Sequence, residues 1–201
     1  MSKLSASSNQ FRNKVVFYGT LPTIYGLNIG VRYSGIGGSR YSMIVAGNVN
    51  GDFVASNDLA YVFNPNNPTV DAAVKTGIQA ILDNPLVSKG FKDYLNKSMD
   101  GVAERNGGIN GFSGQWDIRV AKKFKTYKGQ FVELSADVFN FANLLNKEWG
   151  VTEALGTQSI YSIGGFNAAN NTYKYNVNPN AGIINPSGSP YQIQLGLRYG
   201  F

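Results

Sequence analysis

The chain has 201 residues, with 18 Lys and Arg against 12 Asp and Glu, a net charge of +6, and neither Cys nor His. Those absences exclude disulfides, thiolate chemistry, histidine bases and the commonest metal ligand; the positive charge is dispersed and lacks a binding motif, which argues against nucleic acid as a partner. With 24 Gly, 12 Phe, 12 Tyr and 15% charged residues, the composition suits a β-rich protein with tight turns, and no apolar run approaches the ~18 residues of a membrane-spanning helix.

Met1 to Gln10 carries charge but neither an apolar core nor a cleavage site, so it is unlike an export signal. Asn13 to Thr20 is an expected strand whose facing is left open by Val15, Val16, Phe17 and Tyr18, and Leu21-Pro22-Thr23 is a turn. Over 24–35 the chain alternates: Tyr25, Leu27, Ile29, Val31 and Tyr33 on one face, Asn28, Gly30, Arg32 and Ser34 on the other. A period of two defines a strand with one apolar and one polar face. The glycines at 35, 37 and 38 break it, and 41–46 either continues it or returns as a hairpin.

Residues 47–111 are a long excursion. Asn48, Asn50, Asp52 and Asp58 space oxygen side chains as compact calcium loops do, which makes calcium the one candidate cofactor. The first of these is Asn, no Glu closes the loop, and Asn-Gly-Asp is also turn chemistry. Residues 69–84 read as a helix capped by Thr69 or Asp71, with Val70, Val74, Ile78, Ile81 and Leu82 on one side and Pro85 ending it. A second, shorter helix over 86–97 presents Phe91, Tyr94 and Leu95. Both are expected to cover a loop or a barrel mouth.

Strand character returns over 112–125, with Trp116, Ile118, Val120 and Phe124 opposed to Asp117, Arg119, Ala121 and Lys123. Tyr127-Lys128-Gly129 is a tight turn into a strand over 130–141. There Val132, Leu134, Ala136 and Val138 share the apolar face, while Glu133, Ser135 and Asp137 share the other with Phe131, Phe139 and Phe141. A three-residue loop with Gly129 in the left-handed conformation pairs Thr126 with Gln130. It then sets Ile118 opposite Val138, Arg119 opposite Asp137 and Lys123 opposite Glu133, so that two opposite-charge couples line the polar face. Lys122, Lys123, Lys125 and Lys128 cluster near this turn. Residues 143–189 are a loop rich in Asn, Gly and Pro, with a hairpin expected near 158–176.

The last stretch alternates most strictly: Tyr191, Ile193, Leu195, Leu197, Tyr199 and Phe201 against Gln192, Gln194, Gly196, Arg198 and Gly200. Such a run, tilted ~45°, spans roughly one hydrocarbon thickness, with aromatics at both ends of its apolar face. Short connections at 21–23 and 127–129 alternate with long ones at 36–111 and 143–189, the asymmetry of periplasmic turns and extracellular loops.

A terminal strand of this form, closing on Phe201, resembles the carboxy-terminal signal of bacterial outer-membrane β-barrels, which the barrel-assembly machinery reads. The run from Asp137 through Phe139, Asn140, Phe141, Asn143 and Asn146 to Trp149 and Gly150 is similar to the end of TonB-dependent receptors, particularly the Oar-like ones. Residues 48–59 and 103–107 also resemble stretches of those proteins. The resemblance implies an all-β fold with minor α: an antiparallel transmembrane barrel segment of five spanning strands (13–20, 24–35, 112–125, 130–141, 190–201) with long extracellular loops carrying two short helices. It also implies an outer-membrane location in a Gram-negative-type bacterium, lipid as a partner, and uptake of an unidentified nutrient energised through TonB.

Nothing in the chain resembles the plug of such a receptor or its TonB-contacting segment, so a carboxy-terminal fragment that needs the rest of barrel and plug is the expected status. The alternative is a self-contained eight-stranded outer-membrane barrel with a structural or adhesive role, counting 41–47, 53–63 and 158–176 as spanning. A soluble β-rich binding module is a third class. No nucleophile, base and acid are combined in a way that points to an enzyme.

Overall fold

A computed structural model describes residues 4–201; Met1 to Lys3, the start of the segment read above for an export signal, lie outside the described residues. Among the described residues antiparallel strands dominate, helices are few, and no helix is long and apolar enough to cross a membrane. The chain divides into two compact units.

One unit, residues 12–37, 112–153 and 186–201, is built on a five-stranded sheet. Its strands, in spatial and chain order alike, are Lys14–Thr20, Leu27–Ile36, Ser113–Lys125, Phe131–Phe139 and Gln192–Gly200, each antiparallel to the next. The two outer strands do not pair with each other, so the sheet is open. The register at the central hairpin is the one the loop geometry requires: Ile118 opposite Val138, Arg119 opposite Asp137, Lys123 opposite Glu133. Lys128 and Gly129 both take positive φ, 54° and 82°, and the Thr126 N–H donates to the Gln130 carbonyl at 2.8 Å.

Two expectations for these strands are corrected. Tyr25 is not on the strand face: with Gly26 it forms a turn at positive φ, 50° and 74°, closed by mutual hydrogen bonds of Ile24 and Leu27. Phe141 does not continue the polar face of its strand. The strand stops at Phe139, Asn140 turns left-handed (φ 52°), and Phe141–Leu145 form a short helix, α3, that the alternation concealed.

The other unit, residues 38–111 and 154–185 with the described part of 1–11, has its own hydrophobic core. Helix α1 (Ala72–Asp83) is capped by Asp71, whose carboxylate accepts the Ala73 and Val74 N–H groups, and it buries Val74, Ile78 and Ile81. Helix α2 (Lys89–Lys97), capped by Ser88, buries Phe91, Tyr94 and Leu95. These side chains meet Met43, Val45, Val62, Ile160 and Tyr161 in one cluster. The helices therefore seal the core of a folded module built from the two long connections. Ser159–Asn167 and Thr172–Val177 form the expected hairpin, and Ile44–Ala46 joins it in parallel.

The further spanning strands of an eight-stranded barrel are not formed. Between 41 and 63 the strands are Ile44–Ala46, Tyr61–Val62 and the end of Arg40–Tyr41, against the ~9–11 residues a membrane strand needs. The 159–177 hairpin buries Ile160 and Tyr161 in the module core instead.

Candidate functional site

Strict alternation gives the five-stranded sheet two chemically opposed faces. Carried through the register, one face holds Val15 and Phe17; Ile29, Val31 and Tyr33; Trp116, Ile118 and Val120; Leu134, Ala136 and Val138; and Ile193, Leu195 and Leu197. It is open to its surroundings: Leu195 is 79% and Leu197 75% exposed. An apolar surface crossing five strands is far larger than the isolated patches a soluble monomer shows to water.

Aromatics bound this face at both ends. Phe17 lies opposite Tyr33, and Tyr33 opposite Trp116 with ring centroids 4.6 Å apart, so three strands contribute to one row. At the turn end, Phe124 and Tyr199 both lie opposite Val132. Trp116 and Phe124 are eight residues apart on one strand (124 minus 116), roughly 26 Å along it at ~3.3 Å per residue. A tilt of ~40° leaves roughly 20 Å of aliphatic surface between the rows, most of a ~25 Å apolar band. Among the described residues Lys122 is the one cation on this face, and its ammonium reaches the Tyr25 carbonyl at the turn. This is the path of a cation leaving an apolar surface for its polar margin.

The opposite face is polar and ordered by charge. Arg119 Nη1 sits 3.2 Å from both carboxylate oxygens of Asp137. Arg32, opposite Asp117, lies 3.8 Å from its carboxylate, and Asp117 also accepts the Asn140 N–H at 3.0 Å. Arg32, Asp117, Arg119 and Asp137 line a groove of about 440 Å³ with Tyr18 and Thr20.

The second couple is in register but makes no salt bridge among the described residues. The Lys123 ammonium instead stands 3.5 Å from the centre of the Phe131 ring, and the Arg198 guanidinium approaches the same ring at 5.8 Å. Phe131 is thus held between two cations on a polar face, where its negative ring surface suits them. The lysine cluster is divided by the strand: Lys122 faces the apolar side, Lys123 the polar side, and Lys128 covers Tyr127 at the turn.

The segment from Asn140 to Gly150 is a latch that sequence reasoning missed. Asn140 and Asn143 are buried. The Asn140 amide donates to the Gly150 and Ser189 carbonyls, the Asn143 amide donates to the Lys147 and Trp149 carbonyls, and Asn143 accepts the Tyr191 N–H. Helix α3 is thereby fixed so that Phe141, Leu145 and Trp149 enclose an apolar pocket of about 350 Å³ with Val31, Trp116 and Ile118. The signal was the spacing of two Asn residues around a short apolar run, but their partners lie up to 49 residues away in sequence.

The terminal residues Tyr191, Ile193, Leu195, Leu197, Tyr199 and Phe201 are all exposed. Gln192 to Gly200 pair with Phe139 to Phe131.

In the loop around Asn48, the oxygen side chains already hold N–H donors. Asn48 accepts from Gly51, Asn50 from Asp52, Asp52 from Val54 and the Asn57 amide, and Asp58 from Val49 and Asn50. The Asn57 amide, followed by the Val54 N–H, holds the Asp52 carboxyl below its ordinary pKa. A donor on every candidate ligand is turn chemistry, and no group of three His, Cys, Asp or Glu suited to a metal occurs among the described residues.

No family model matches the chain, and neither a curated protein nor a solved structure does.

Proposed function

We propose that this chain forms part of the wall of an outer-membrane β-barrel of the TonB-dependent receptor type, taking up an unidentified nutrient. The observation that carries the reading is the exposed sheet face on which an aliphatic band lies between two aromatic rows. Lipid satisfies such a face, and water does not. The opposite face, with its paired Arg and Asp side chains, suits a wet lumen.

Five strands cannot close a bacterial barrel, which has an even number from eight upward, so further strands must flank Lys14–Thr20 and Gln192–Gly200. Both long connections leave the sheet from one end, next to Ile36 and Phe139, and the short turns lie at the other. By the asymmetry of such barrels the long connections are extracellular. The folded unit of 38–111 and 154–185 would then be surface that meets ligand first. Helix α3 and Trp149, beside the upper aromatic row, would lie at the outer interface.

The test is to refold the chain in water and in detergent micelles. Association or aggregation in water, with a protease-resistant sheet in micelles, is expected from an exposed apolar face and open edges. A monodisperse, protease-resistant monomer in water would overturn the reading.

A further inference from the structure

We infer that the folded unit carries a binding cleft for a neutral oligosaccharide. The inference does not depend on the five-stranded sheet facing lipid. The cleft, of about 670 Å³, lies between the start of α1 and the Thr172–Val177 strand. That is within the range of ligand pockets, which combine aromatic surface with a few placed polar groups.

Its aromatic component is continuous. Tyr61 and Phe63 have ring centroids 5.1 Å apart, Phe63 and Tyr175 6.2 Å, Tyr175 and Tyr173 6.4 Å, and Tyr173 and Phe166 5.2 Å. Four of these rings, Tyr61, Phe63, Tyr175 and Tyr173, line the cleft, and Phe166 continues the row beyond it. They rest on a firm base: buried Tyr161 packs beneath Phe63 and Tyr175, its hydroxyl accepting the Phe63 N–H at 3.3 Å. The ends of the row are exposed, Tyr61 at 44% and Phe166 at 56%, while Phe63 and Tyr175 are half-buried with one side against the core. Rings in a row that line a cleft present successive negative faces, which suit the polarised C–H faces of successive sugar rings.

The polar component is equally selective. Asp71 uses one carboxylate oxygen to cap α1, and Asp100 uses one on the Asn64 amide; each keeps the other oxygen clear of hydrogen bonds to the described residues. The Asn67 carbonyl oxygen is bound to Thr69, leaving its NH₂ to donate. The Asp71 and Asp100 carboxylates repel anionic ligands, and the lining is too polar for an acyl chain. Acceptors and amides beside aromatic faces match a ligand that is uncharged, rich in hydroxyls and apolar on its ring faces.

The full chain in detergent micelles is titrated with cellotriose, maltotriose and chitotriose, followed by calorimetry and ligand-observed NMR, with a casein peptide digest as a competing ligand class. At least one trisaccharide is expected to bind, and Tyr61→Ala and Asp100→Asn are each expected to weaken it at least tenfold. Both variants should fold: Tyr61 is at the surface, and Asn tolerates the positive φ of 57° that Asp100 adopts. Binding of none of the three sugars, saturation by the peptides alone, or affinity unchanged in both variants would each overturn the inference.

Discussion

Arg119 and Asp137 face each other directly across neighbouring strands, with one guanidinium nitrogen 3.2 Å from both carboxylate oxygens. The arginine side chain is 56% exposed and the aspartate 20%, so solvent screens most of the attraction. A double-mutant cycle with Arg119→Gln and Asp137→Asn should return a coupling of about 0.2–1 kcal/mol. A coupling indistinguishable from zero would mean that the pair contributes nothing to alignment.

The two faces of the terminal strand make opposite demands. Leu195 lies opposite Ala136 on the apolar face, and Gln194 opposite Asp137 on the polar one. In a lipid-embedded barrel, Leu195→Lys should cost about 2–4 kcal/mol at the midplane, while Gln194→Lys, brought beside a carboxylate, should cost little. Equal losses on unfolding from micelles would refute the assignment of faces.

The register of the central hairpin was legible because two independent constraints agreed: period-two alternation fixed which residues share a face, and the three-residue loop fixed the offset. The fate of each side chain was less so. Lys123 is opposite Glu133 as expected, yet its ammonium goes to the Phe131 ring, a choice set by a neighbour that reads as a violation of the face pattern. The turn of Phe141 into α3 was hidden because Asn140 is held by the Gly150 and Ser189 carbonyls. The folded unit was hidden for a related reason. Several of its strands are two or three residues long, and its core joins Tyr41 and Met43 to Ile160 and Tyr161 across more than a hundred residues.

Phe131 also explains a glycine. A Cβ at Gly200, its partner across the strand, would stand 2.2 Å from the Phe131 ring. Gly200→Ala should therefore displace the ring and its two cations, destabilising by about 1–3 kcal/mol as overpacking does. Phe131→Leu should relieve most of the loss in the double variant. Thermal unfolding in micelles measures it, and no rescue would mean that the strain lies elsewhere.

The core of the folded unit gives a sharper energetic test. Phe91 is fully buried on α2, and its ring stacks on Tyr41 at 6.2 Å. Phe91→Ala should cost about 3–5 kcal/mol through lost burial and the cavity left behind. Hydrogen exchange should report the loss across both segments of the unit, 38–111 and 154–185, because they share one core. Loss confined to α2 would show that the core is not cooperative.

Tyr41 adds a pH dependence with a definite sign. Burial, and then the neighbouring Tyr94, push its phenol well above the ordinary value of about 10. Its hydroxyl has no hydrogen-bond partner among the described residues. A group whose folded pKa is raised stabilises fully below its unfolded pKa, and that contribution is lost as pH climbs towards the folded one. The folded unit should therefore lose stability above about pH 10, where the unfolded chain ionises and the buried phenol resists. Tyr161 and Tyr175, raised by burial first, add to the same trend. Tyr41→Phe removes one ionisation and an unpaired polar group together, so at pH 7 it should be neutral or slightly stabilising. Between pH 10 and 12 its stability should fall less steeply than that of the native sequence. Denaturant titrations across that range would expose an error if the two slopes coincided, or if the variant were clearly weaker at neutral pH.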